Sequence, residues 1–468
     1  MIPLILLTAL FALLYYKASK SLHYWKDRGV AHLRPLPVFG NLASVAFKRI
    51  SVFDQMRNWY NHFRNERYFG VHDLIIPVLI LRDLELIKRI TVKDFEYFTD
   101  HNNLVTEDIE PLMEKSLLIL KGQRWRNMRA TLSPSFTGNK MKLMFALMSE
   151  CAEEFTRHFQ NLNQNLVVVE MKDICTRFTN DVIATTAFGV KCNSLDDKKN
   201  QFYAMGYKRH PYKTRKGRAG TTDMINLLME ARKQKIDYPK QNLIINDEDI
   251  TAQAITFFFA GFETSSTAMT FIAYELALNE DVQKRLQEEI DDTLFHCQGK
   301  LTYDALNDMK YMDMVVSEAI RKWPPAFFID RLCVKDYFVK PVSSKETGLL
   351  IEKGTMIQIP IIGIHRDPKY HPNPDAFDPE RFNEDNKHKI EPFTYIPFGS
   401  GPRRCIATRF ALMESKILMF HLLSKFDIVR IKKTLHPMET SKLPFNIAPA
   451  KGVWLGLRLR NNEQHCKI

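Results

Sequence analysis

The residue best placed to do chemistry is Cys405. It follows Phe398-Gly399-Ser400-Gly401-Pro402-Arg403-Arg404 and precedes Ile406-Ala407, where an amphipathic run begins. Two glycines and a proline make a tight turn, so the thiol stands at a helix mouth, facing unsatisfied N–H groups and the positive end of the dipole. Arg403 and Arg404 add positive charge, and together these favour thiolate. Thiolate can bind iron and push electron density toward O–O cleavage. The plainer reading is a buried structural cysteine. The other six cysteines (151, 175, 192, 297, 333 and 466) are scattered, with no CxxC and no Cys/His cluster at zinc spacing. That excludes a disulfide framework and a zinc site and fits a reducing compartment.

Five further groups carry polar side chains at helical or loop spacing. Trp125 and Arg129 share a helix face, and an indole N–H beside a guanidinium can reach one anionic group. In Ala260-Gly261-Phe262-Glu263-Thr264-Ser265, Ala260 and Thr264 also share a face. Two small residues in a helix core cost stability, so something must approach the backbone there: a bound group, or a neighbouring helix in a packing notch. Glu318 and Arg321 stand three apart, a spacing worth little on a surface. Pro379-Glu380-Arg381-Phe382 and Asp330-Arg331 complete the set.

The elements that must position these residues are mostly helices. Asn246-Asp247-Glu248-Asp249 is an acidic cap ahead of an apolar stretch running to about Glu280. Thirty helical residues span roughly 45 Å, enough to cross a whole core. Residues 406–426 read as another helix, and 74–81, 349–364 and 445–457 as strand pieces. The fold class is mainly α with small β-sheets. The 468 residues allow two or three domains or one large fold, and glycine (18) and proline (22) are too sparse for linker-like architecture. A net charge of +12 calls for an anionic partner: nucleic acid, an acidic protein or a membrane surface.

Residues 2–16 carry no charge and precede Lys17, Lys20, Lys26 and Arg28. Their helix would be ~23 Å long, short of the ~30 Å hydrocarbon core, with tyrosines and a snorkelling lysine to make up part of the difference. A retained signal-anchor over residues 1–29 is the reading preferred to a cleaved signal peptide, because no basic segment precedes the run and no small-residue cleavage site follows it. The basic flank holds the remainder in the cytoplasm. Arg34-Pro35-Leu36-Pro37 then stiffens the passage to the globule.

Phe398 to Cys405 resembles the Phe-x-x-Gly-x-Arg-x-Cys-x-Gly signature of the cytochrome P-450 family, with Ala407 in place of the last glycine. The other motifs follow in the family's order. The resemblance implies a single haem domain over residues 30–462, with a polar tail at 463–468 and haem b as cofactor. Cys405 then ligates the iron, Trp125, Arg129 and Arg331 hold the haem carboxylates, Arg403 is a further haem-binding residue, Thr264 organises protons at the oxygen-binding face, and Glu263 feeds them from solvent. Glu318, Arg321 and Arg381 form a buried triad that fixes the loop before Cys405. The family inserts one atom of dioxygen into a lipophilic molecule, with NADPH electrons arriving through NADPH–cytochrome P-450 reductase. Cytochrome b5 is a further candidate partner, and no nucleic-acid motif is visible. Phe410-Ala411-Leu412-Met413-Glu414 and the proline turn look most like insect microsomal members linked to xenobiotic metabolism, which implies the endoplasmic reticulum membrane with the catalytic domain on its cytoplasmic side.

One interval departs from the pattern. Phe202-Tyr203-Ala204-Met205-Gly206 looks like the approach to the family's F helix, and Asp223-Met224-Ile225 like the chain after its G helix. Between them, residues 207–222 hold six Lys/Arg and no acid, and cannot form two amphipathic helices. They read as a basic loop on an anionic membrane, a nuclear-localisation segment, or the trace of an exon absent from this isoform or gene reading. The face near Phe257, Phe258 and Phe262 is therefore expected to be open to water. Two alternatives stay open beside the monooxygenase: a haem-binding protein disabled by the missing roof, and a haem-thiolate enzyme that rearranges rather than oxygenates. The intact Glu263-Thr264 pair argues against the latter.

Overall fold

The computed structural model describes residues 22–102, 111–197, 200, 202–204, 245–344, 346–442 and 447–460. The apolar run at 2–16, the basic interval at 207–222 and the tail at 463–468 lie outside them. No described helix is long and apolar enough to cross a membrane.

The helices that matter for the site are α1 (Gly122–Leu132), α2 (Gly138–Asn161), α3 (Met171–Phe188), α4 (Asp247–Leu278), α5 (Glu280–His296), α6 (Lys310–Lys322) and α7 (Thr408–Leu423). The longest, α4, has 32 residues and starts in a capping box: Asn246 accepts from the Asp249 N–H while the Asp249 carboxylate accepts from the Asn246 N–H. At 1.5 Å per residue it runs ~48 Å. Its C-terminal half, from Ser265 to Ala277, is buried on every side, which explains why that stretch shows no amphipathic stripe. Around it lie α2, α3, α6 and α7, whose apolar faces join one continuous core with Met269, Phe271 and Ile272.

Among the described residues, three small sheets flank the helices. The largest runs β1 (Tyr68–Asp73), β2 (Ile76–Leu81), β7 (Met356–Ile359), β4 (Ile329–Leu332). Strands β3 (Leu166–Glu170), β9 (Trp454–Leu459) and β8 (Phe426–Val429) form the second, and β5 (Tyr337–Val339) with β6 (Leu349–Ile351) the third. In the first sheet Arg331 pairs with Ile357 and Asp330 with Gln358, and that register turns Arg331 inward, where it is 1% exposed. The apolar run 349–364, read as one strand from its composition, is two strands and a short helix, Ile361–His365. A turn at Gly354, with φ 91°, splits the strands. Helix 406–426 and strand 445–457 are observed as 408–423 and 454–459.

Candidate active site

The cysteine loop is held from several sides. Its own turns are closed by Cys405 N–H to the Phe398 carbonyl (2.9 Å), Arg404 N–H to Gly401 (3.1 Å) and Gly399 N–H to Ile396 (3.0 Å). Gly401 has φ 73°, and a Cβ there would lie 1.8 Å from the Thr91 carbonyl oxygen, so no other residue fits. Beneath the loop the Glu318–Arg321–Arg381 triad is assembled as expected. Arg321 donates to both Glu318 oxygens at 2.7 and 2.8 Å and Arg381 to one at 3.3 Å, with Glu318 and Arg321 fully buried. The link from triad to loop runs through His365, which sequence reasoning missed. Arg321 donates to the His365 carbonyl (2.7 Å), and His365 Nε2 accepts the Ile396 N–H (2.9 Å), two residues before Phe398. Burial holds His365 far below its ordinary value, so the ring is neutral and can accept.

Arg331 reaches the loop from β4, donating to the Ser400 carbonyl at 3.3 Å, and its buried Nε has no partner among the described residues. Burial lowers its guanidinium to about 10. Arg403 is tied into the protein on several sides. Its N–H groups go to the carbonyls of Thr99 (2.7 Å), Leu117 (3.4 Å), Leu118 (3.4 Å) and Leu120 (2.6 Å), and the guanidinium lies 4.0 Å from the centre of the Trp125 ring. It clamps the loop to Thr99 and to residues 117–120 and braces Trp125 by a cation–π contact. Arg129, one turn beyond Trp125, is half-buried with no carboxylate partner among the described residues, and it is close enough to Cys405 for each to bias the other's ionisation. Ile406 of the loop and Phe257 of α4 pack on the same cluster as Trp125 and Met128, which brings loop, α1 and α4 together.

Cys405 is exposed by residue surface, yet its sulfur is crowded. Desolvation, the largest influence, pushes the thiol above its ordinary value, against the Ala407 N–H, Arg129 and Thr408, which pull it down. The loop alone therefore ionises the thiol less than its place at a helix mouth implies. Ligation to a metal deprotonates a thiol outright, so the site does not depend on that.

On α4, three successive side chains leave in different directions. Thr264 is exposed and donates back to the Ala260 carbonyl (2.6 Å), and Ala260 is exposed beside it. Ser265 is buried toward Glu414 of α7. Glu263 turns onto α3, 3.1 Å from the Lys172 ammonium. Gly261 serves helix packing: a Cβ there would lie 2.9 Å from Ile183 of α3. Nor is the phenylalanine face open as expected. Phe258 and Phe262 are 9% and 6% exposed, stacked on each other at 5.3 Å, with Phe188 and Phe202 edge-on to Phe258. Phe257, half-buried, leans on Phe136. What is open is the strip Phe259, Ala260 and Thr264.

A soft sulfur ligand, an Arg129 with no carboxylate partner among the described residues, the unpartnered Arg331 Nε and an indole form a donor set for an iron macrocycle bearing carboxylates. The family model described as Cytochrome P450 matches residues 31–210 and 207–453. The chain belongs to the cytochrome P450 family and is a haem-b monooxygenase, an oxidoreductase. It is similar to insect members. Cytochrome P450 9e2 of Blattella germanica is 42% identical over 508 residues, 94% of each chain. Probable cytochrome P450 9f2 of Drosophila melanogaster is 40% identical over 515 residues, covering 97% of this chain and 99% of that one. Cytochrome P450 6j1 of Blattella germanica is 35% identical over 492 residues, 96% of each. All three alignments exceed the 468 residues of this chain, so each relative carries residues with no counterpart here, and the two stretches of the family match meet at 207–210.

Proposed function

We propose that this monooxygenase acts on a lipophilic small molecule at the cytoplasmic face of the endoplasmic reticulum membrane, with electrons delivered by NADPH–cytochrome P450 reductase and cytochrome b5 as a further partner. The observation that carries the reading is the cysteine loop, pinned by Gly401, His365, Arg331 and Arg403 and carrying Cys405 at the helix mouth. When bound, the haem iron supplies dioxygen activation for insertion of one oxygen atom. Cys405 provides the iron's sulfur ligand. Trp125, Arg129 and Arg331 hold the haem carboxylates, and Arg403 keeps Trp125 and the loop in register. Thr264 Oγ1 holds a proton on the exposed face of α4, and Glu263 replenishes it from solvent. The net charge of +12 suits an acidic electron donor.

Membrane association is supported by a patch near the start of the described chain. Leu36, Val38 and Phe47, 54%, 65% and 60% exposed, lie beside the β1–β2 turn, where Leu74, Ile75 and Ile76 are about half exposed. The Leu36–Gly40 and Gly40–Asp73 bridges join the two segments. Clustered apolar exposure of this kind seeks a lipid or protein surface.

The second reading, a haem-binding protein impaired in turnover, is favoured by the residues that the relatives carry and this chain lacks. One assay separates them. The full chain in vesicles with reductase is tested for NADPH oxidation coupled to a lipophilic probe's hydroxylation. Coupled product supports the monooxygenase on such substrates; thiolate-type CO binding without coupled turnover supports the impaired protein.

A further inference from the structure

Lys172, at the start of α3, is a mostly buried amine whose described acceptors all belong to one turn of α4. Its ammonium donates to the Glu263 carbonyl (3.2 Å), Ser266 Oγ (2.7 Å) and Thr267 Oγ1 (2.8 Å), and lies 3.1 Å from Glu263 Oε1. An ammonium has three N–H bonds, and the three neutral acceptors are enough to occupy them. The carboxylate is a fourth partner that can leave without stranding the charge. Burial pulls the Lys172 amine down and Glu263 pushes it back up, so the two are felt as a pair. Their side chains are 19% and 35% exposed, which places the pair between a solvated ion pair and a sealed one.

Adjacent helix positions diverge by about 100°. A Glu263 side chain laid on α3 therefore does not share the face on which Thr264 is exposed, and to pass a proton toward Thr264 it must first leave Lys172. We propose that Lys172 is a positioning residue for the monooxygenase reaction: a stationary latch, held by Ser266, Thr267 and the helix carbonyl, that parks Glu263 on the α3 side of α4 and receives it back after each proton delivery. The inference rests on the reading of Glu263 as proton carrier. It adds the residue that sets where that carboxylate waits.

The test is a double-mutant cycle of K172M and E263Q in the full haem-loaded enzyme with its reductase, read as product formed per NADPH consumed and as thermal midpoint of Soret loss. In the parent background K172M should lower coupling roughly three- to tenfold and change the solvent isotope effect on turnover, with the reduced-CO spectrum unchanged. In the E263Q background K172M should leave coupling where E263Q has already put it, while the midpoints show the non-additivity of a broken pair. Equal loss in both backgrounds makes Lys172 a structural residue and overturns the inference alone. An E263Q enzyme as well coupled as its parent overturns the role of Glu263 and the latch with it. If K172M fails to retain haem, K172Q, which removes the charge and keeps a polar side chain, takes its place in the cycle, and each outcome then means the same.

Discussion

The two sides of the site are built differently. Around Cys405 almost every polar group is fixed by another: Glu318 by two arginines, His365 by Ile396, Arg403 by four carbonyls. Along α4, by contrast, Glu263, Thr264 and Ser265 depart to three separate neighbours, and the strip Phe259, Ala260, Thr264 is open. A ligand loop has to be rigid, because a thiolate misplaced by an ångström no longer ligates, whereas a proton path must break and remake contacts in each cycle. Damage to the first side should therefore cost the folded haem protein. Damage to the second should cost product per electron.

The largest expected effect is on the rigid side. Glu318→Ala leaves Arg321 buried without its carboxylate, a loss of about 3–5 kcal/mol out of a total of ~5–15. Expression should yield little or no haem-loaded protein by absorbance; normal yield would show that the triad is dispensable and break the contrast.

Acid should attack the same side next. Burial holds His365 far below its ordinary value and holds His371, whose Nε2 meets the Thr394 carbonyl at 3.0 Å just ahead of the cysteine loop, at about 4, while the unfolded chain takes up those protons near pH ~6.5. Stability is thus complete above that value and falls as pH drops from about 6.5 toward 4. Thermal midpoints of the holoprotein at pH 7.5 and pH 5 should differ by several degrees, and a flat profile would mean that neither ring is buried neutral.

On the α4 side, Thr264→Ala should keep haem content and lower product per NADPH by roughly tenfold, within the range of one positioned proton carrier. Unchanged coupling would remove Thr264 from the mechanism. The smallest effect is expected of Gly261→Ala, where Ile183 must give way by a few tenths of an ångström. It should cost ~1 kcal/mol in stability with coupling intact. A large loss of coupling would instead mean that Gly261 serves the bound group and not helix packing.

The same contrast governs what can be read from residues alone. The rigid side is written in local motifs: the glycine-rich turn, the Glu318/Arg321 spacing and the capped long helix are all legible, because each is a short-range consequence of chain geometry. His365 is not, since nothing in Gly363-Ile364-His365-Arg366 says that its ring meets the Ile396 N–H 31 residues on. The partners of Arg403 are hidden for a related reason: the motif places it beside the cysteine, and only the fold brings the carbonyls of Thr99 and Leu120 to its N–H groups. On α4 the partners come from α3 and α7, at sequence separations of about 91 and 149, and Lys172 gives no signal at all. The expected exposure of Phe258 and Phe262 fails because Phe188 and Phe202 cover the first, and Phe258 and Tyr203 pack on the second.

Every role assigned above turns on Cys405 being the iron's ligand. The carbon monoxide difference spectrum of the reduced, haem-loaded chain tests this most directly, recorded for the parent and for Cys405→Ala at matched haem content. The parent should show the thiolate-type band, and the variant should lack it completely. A thiolate-type band that survives in Cys405→Ala would mean that another residue holds the iron.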